Sequence, residues 1–192
     1  MPIANFFITR ILKAYRDLNH YDEDDIDMIR YGLQASLWEI EKLLYMVIIF
    51  IALGHGWQFA ISAIALISVR VMAGGYHAST AWRCFWWTFF GFVLALLVLP
   101  MMGVNNIMIV ALGVFCLGAT FVAAPLRSKQ MDSIANKDKD KQKKLVALII
   151  TAIWFIVLFT YQEHLPVAPI MWAISLQNLQ LIITWAVRKA KK

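Results

Sequence analysis

The chain has 192 residues, of which 61% are apolar and only 16% charged, and its net charge is +6. A soluble domain is about 45–50% apolar and about 25% charged, so this composition excludes one and predicts a polytopic helical membrane protein. The surplus Lys and Arg flank apolar runs, which makes them an orientation signal and excludes a nucleic-acid partner. Two cysteines, one of them (Cys116) in mid-span, make no disulfide framework.

The N-terminus reads as an amphipathic helix, not as a cleavable signal peptide. Ile3, Phe6, Phe7, Ile11, Leu12 and Tyr15 recur at helical spacing opposite Arg10, Lys13 and Arg16, the pattern of a helix lying in the headgroup plane. The following Tyr21-Asp-Glu-Asp-Asp-Ile-Asp27 holds five of the twelve acidic residues. It reads as a helix N-terminus, where carboxylates meet free backbone N–H groups, and no metal site is expected there. Six apolar runs follow: Gly32–Leu53, Trp57–Val71, Cys84–Val104, Ile107–Ala124, Leu145–Tyr161 and Val167–Val187. Each is near the roughly 20 residues that a spanning helix needs, although 43–70 is short for two full crossings.

The expected fold is therefore all-α: about six transmembrane helices plus an N-terminal amphipathic helix, in one integral membrane domain. Residues 1–31 form its interfacial segment, 32–187 the spans and 188–192 a basic tail. Arg127–Lys144 carries seven Lys/Arg against three Asp, and the chain ends Arg188-Lys-Ala-Lys-Lys192. The positive-inside rule places both in the cytoplasm. Counting back through the hairpins puts both termini, Arg70 and Cys84 there too, in a multi-pass protein of the cell membrane.

Between the second and third runs lies a polar island, Arg70-Val-Met-Ala-Gly-Gly-Tyr-His-Ala-Ser-Thr-Ala-Trp-Arg-Cys84. Polar groups at membrane depth are expensive and usually functional. A thiol beside an imidazole can become a thiolate nucleophile, with His77 as base and Arg70 or Arg83 supplying a positive field. Seven residues along a straight helix separate His77 from Cys84 by about 10.5 Å, too far for proton transfer. Either the backbone breaks at Gly74-Gly75 or the pair meets across a dimer. A single His and Cys do not complete a zinc site, and no cofactor is expected.

The island resembles the signature of the accessory gene regulator B (AgrB) family, membrane cysteine endopeptidases of Gram-positive quorum sensing: an Arg, then Gly-x-His-Ala, then Cys. Arg70, Gly75, His77, Ala78 and Cys84 fit it. Arg30-Tyr-Gly-Leu-Gln34 resembles the family's N-terminal Arg-x-Gly-x-Gln, and Phe121-Val-Ala-Ala-Pro125 followed by Lys129 resembles its later Pro and basic segment. In this chain that segment is thin, Arg127-Ser-Lys129.

The resemblance implies Cys84 and His77 as catalytic residues. It implies as substrate a small AgrD-like precursor peptide, amphipathic at its start and acidic at its end. The tail is removed and the core cyclises through a Cys84 thioester. Gln34 is the candidate oxyanion donor or His77-orienting group; Arg70, Gly75, Arg30 and Ser79 are supporting residues. Lys129 and Arg127 are the candidates for receiving the acidic tail. A homodimer is also expected, through small residues such as Gly91, Ala95, Gly113, Ala119 and Ala123. The alternative function is a non-enzymatic membrane peptide exporter or assembly partner, although no nucleotide-binding Gly-rich loop accompanies it.

Overall fold

The structure, a computed structural model, describes residues 2–17, 22–75, 80–126 and 137–190. Among these it is all-α: α1 (Pro2–Asp17), α2 (Glu23–Ala52), α3 (Gly56–Ala73), α4 (Ala81–Val93), α5 (Asn106–Ala123), α6 (Lys137–Thr160) and α7 (Val167–Ala190). Beyond α4 the helix widens into a π-turn over Leu94–Val98 and then tightens into a 3-10 turn over Leu99–Met102. Pro100 explains the change, because it lacks an N–H for the carbonyl four residues back and its ring crowds that carbonyl.

Among the described residues five helices are long and apolar enough to cross a membrane: α3, α4 with its extension (Trp82–Met102), α5, α6 and α7. They mark a multi-pass membrane protein. The first expected run differs from these. It belongs to α2, a continuous 30-residue helix that starts at Glu23 and would be about 45 Å long. The expected boundary at residue 31/32 therefore falls inside one helix. Asp22 flanks its start in an extended conformation, so the acidic stretch does open a helix. Uninterrupted apolar sequence in α2 begins only after Lys42. Helix α6 likewise starts at Lys137, ahead of the expected Leu145, so part of the basic segment is helical.

Helix α7 is the hub. Its Ile170, Met171, Ile174 and Leu181 are fully buried, in one core with Val69 of α3, Ile109 and Cys116 of α5 and Leu158 of α6. A second core is aromatic and joins α2, α3 and α4. Phe50 stacks on Phe59 at 4.8 Å between ring centroids, and Phe92 meets Phe59 edge-on at 4.7 Å.

Two expectations change on packing. Helix α1 turns Ala4, Ile8 and Leu12 toward Ile26 of α2, while Phe6 and Phe7 face outward. The i, i+4, i+8 stripe is thus used on a neighbouring helix, which leaves Phe6 and Phe7 exposed. The small residues expected at a dimer interface are largely consumed inside the chain. Ala95, Ala119 and Ala123 are buried, and a Cβ on Gly113 would stand 3.0 Å from the Phe155 ring.

Candidate functional site

Three helix ends, those of α3, α4 and α5, and the middles of α2 and α7 build the site. Helix α3 stops at Gly74, whose φ of +77° ends the helix in a conformation that favours glycine. The fit is tight: a Cβ there would lie 2.2 Å from the Leu126 carbonyl oxygen. The Leu126 N–H in turn donates to the Ala73 carbonyl at 2.9 Å. The expected break at Gly74-Gly75 is therefore present, and the segment after Pro125 clamps it.

Helix α7 holds the break from the other side. Gln177 is a buried amide that uses both of its ends. Its Nε2 donates to the Gly74 carbonyl at 3.1 Å, and its Oε1 accepts from Arg70 Nη1 at 2.8 Å. Arg70 also reaches Gln180 Oε1 at 3.5 Å. Gly75 packs into this amide–guanidinium layer, where a Cβ would sit 3.1 Å from Gln177 Nε2 and 3.3 Å from Arg70 Cζ. Arg70 and Gly75 thus meet in this layer, with Gly75 two residues of chain before His77. His77 and Ser79 lie outside the described residues, as do Arg127 and Lys129.

Helix α4 begins where Thr80 caps it: the threonine Oγ1 accepts from the Arg83 N–H at 3.3 Å. Cys84 then falls in the first turn, where the helix dipole favours negative charge. Its thiol is half-buried against α2. Lys42 Nζ stands 3.8 Å from Sγ, and Sγ lies 3.8 Å from Glu39 Oε1. Lys42 also ion-pairs with Glu39 and donates to Thr88 Oγ1 at 3.4 Å. The Thr88 hydroxyl donates to the Cys84 carbonyl at 2.9 Å, tying that contact to the same helical turn.

The Lys42 ammonium is a positive charge beside the sulfur that sequence reasoning did not name. Arg70 is committed to α7, and Arg83 is exposed. Glu39, Glu41 and Lys42 interrupt the first expected apolar run, Gly32–Leu53, and are not among the expected site residues. The available signal was the rule that ionisable residues inside an apolar helix are functional by default. Gln34 precedes Lys42 by about two turns of α2, and among the described residues it makes no hydrogen bond to Cys84. Arg30 is farther still along α2, in an exposed ion pair with Asp27 at 2.9 Å. Cys116 is fully buried and touches Ser175 Oγ at 3.6 Å.

No solved structure matches the chain. Curated proteins do. The chain is 28% identical to an AgrB-like protein of Clostridium beijerinckii over 183 residues, covering 94% of this chain and 89% of that one. It is 27% identical to an accessory gene regulator protein B of Staphylococcus aureus (strain Newman), over 145 residues and 76% of each chain. The family profile Accessory gene regulator B (AgrB) matches residues 4–185. With nearly its whole length inside that profile, the chain belongs to the AgrB family.

Proposed function

We propose that this protein is a membrane cysteine endopeptidase of autoinducer processing. It removes the acidic C-terminal tail of a small AgrD-like precursor and, through a Cys84 thioester, permits the core to close into a thiolactone or lactone. The observation that carries the reading is the placement of Cys84: a half-buried thiol in the first turn of α4, beside an ammonium and seven residues after His77.

The chemistry follows from those groups. His77 accepts the Sγ proton and the thiolate attacks the scissile carbonyl, forming a C–S bond and an oxyanion. As the oxyanion collapses the C–N bond breaks, and His77 returns the proton to the departing amine of the tail. A Cys or Ser within the core then attacks the thioester, closes the ring and frees Cys84. Water must stay away from that thioester, which a site between helices favours. Gln34 serves in this reading as oxyanion donor or His77-orienting group, Ser79 supports His77, and Arg127 and Lys129 receive the acidic tail. The membrane domain carries both termini and the Cys84 end of α4 on the cytoplasmic side.

The test is cleavage of a precursor peptide by membranes holding single variants. Cys84→Ala and Cys84→Ser abolish cleavage. Cys116→Ala leaves it within about twofold, since its site is that of a small buried residue. Normal processing by a folded Cys84→Ala protein ends the cysteine-peptidase reading.

A further inference from the structure

Lys42 is the most deeply buried charge in the described structure that touches a candidate reacting atom. The ion pair it makes is lopsided: the Lys42 side chain is 4% exposed and its Glu39 partner 36%. The cation is therefore turned inward, and what it meets there is Cys84 Sγ at 3.8 Å and Thr88 Oγ1 at 3.4 Å. An ammonium has three N–H donors, and Glu39, Thr88 and the sulfur are three partners for them. Burying the Lys42 ammonium merely to pack α2 against α4 is a poor use of charge, because apolar residues of similar volume do that as well or better. A buried cation placed against a thiol has a different use.

We propose that Lys42 is a further catalytic residue, whose ammonium ion-pairs the Cys84 thiolate while Glu39 holds it in place. The inference rests on Cys84 being the nucleophile. In the resting state the thiol lies within reach of Glu39 Oε1 at 3.8 Å. When the S–H proton leaves for the base, negative charge appears on sulfur between a carboxylate and an ammonium. Glu39 opposes that charge and Lys42 favours it. Lys42 stays protonated throughout: the proton travels from sulfur to His77 and on to the leaving amine, and the electron pair on sulfur forms the new C–S bond. Among the described residues the charged groups facing the sulfur are Glu39 and Lys42 from α2, with the neutral Thr88 of α4 against Lys42; Arg83 on α4 is exposed.

Opposite charges on one thiol make a test of sign. In the full chain carrying Cys116→Ala, the rate at which iodoacetamide alkylates Cys84 is followed across pH, beside precursor cleavage. Lys42→Met is expected to slow alkylation by about tenfold or more. Lys42→Arg keeps the charge and restores most of the rate. Glu39→Gln keeps a hydrogen-bond acceptor for Lys42 but removes the opposing charge, so alkylation is as fast as in the parent or faster. A merely structural ion pair predicts the reverse pattern, with Lys42→Met and Glu39→Gln both slowing or neither moving, and either result overturns the proposal. Should Lys42→Met fail to reach the membrane, a slower Glu39→Gln overturns it alone. The underlying reading fails separately: cleavage that survives Cys84→Ala removes the nucleophile, whereas Cys84-dependent cleavage with unslowed alkylation in Lys42→Met removes only the role of Lys42.

Discussion

Adjacent glycines in the polar island carry unequal constraints. At Gly74 the backbone has a positive φ of 77°, and any Cβ would strike the Leu126 backbone at 2.2 Å. Backbone cannot step aside cheaply, and the conformation alone costs a non-glycine residue about 1–3 kcal/mol. At Gly75 the nearest atoms are the ends of the Gln177 and Arg70 side chains, at 3.1 and 3.3 Å, which can yield by a few tenths of an ångström. Gly74→Ala is therefore expected to lower the melting temperature in detergent and to lose most precursor cleavage. Gly75→Ala keeps the fold and loses activity only in part. Equal melting temperatures for the two variants would contradict this account. Both glycines stand in the sequence as one Gly-Gly pair, and only the φ of Gly74 together with the approach of Leu126 tells them apart.

Among the elements, α1 is held by a charge and not by apolar packing alone. Glu41 in mid-α2 is 3% exposed, and its Oε2 accepts from the Ala4 N–H at 3.0 Å, in the first turn of α1. Its other oxygen accepts from the Tyr45 hydroxyl at 2.8 Å. A carboxylate at a helix N-terminus satisfies an otherwise free N–H and complements the dipole. Trp38 Nε1 adds a bond to Asn5 Oδ1 at 3.2 Å. Removing the carboxylate leaves a buried N–H unmet, at a cost of about 1–3 kcal/mol. Glu41→Ala should thus speed hydrogen exchange in α1 while exchange in α3 and α5–α7 stays as it was. Uniform loosening of all helices would instead make Glu41 part of the common core. The three charged residues in the second half of α2 divide their work: Glu41 faces α1, and Glu39 and Lys42 face Cys84.

At the scale of the whole molecule, the charge distribution sets the orientation. The turn at 53–55 joins α2 to α3 at the end away from the Gly74 break, and Arg188 and Lys189 close α7. In the proposed topology the basic ends lie in the cytoplasm, as the positive-inside rule expects, and the 53–55 turn faces outward. Single cysteines at His55, Ala135 and Ala190, in a chain lacking Cys84 and Cys116, test this with a membrane-impermeant maleimide on intact cells. Only the His55 position should label. Labelling at Ala135 or Ala190 would break the proposed topology.

How much was legible follows from the range of each interaction. Apolar runs, their flanking charges and the Gly-Gly break are local patterns, so the sequence by itself determined an all-α membrane protein, five of its spans and the end of α3. The motif likewise determined that Arg70 and Gly75 belong with Cys84's segment, though not that Gln177, more than a hundred residues on, is what holds them. The remaining partnerships were decided only by tertiary structure. Whether Glu39, Glu41 and Lys42 mark a span's end or line a site depends on which face of α2 meets α1 and which meets α4. Helical periodicity in α2 alone cannot name the neighbour. Burial does so: a charge is retained inside an apolar interface where a partner from another helix receives it, and for Lys42 that interface holds the Cys84 sulfur.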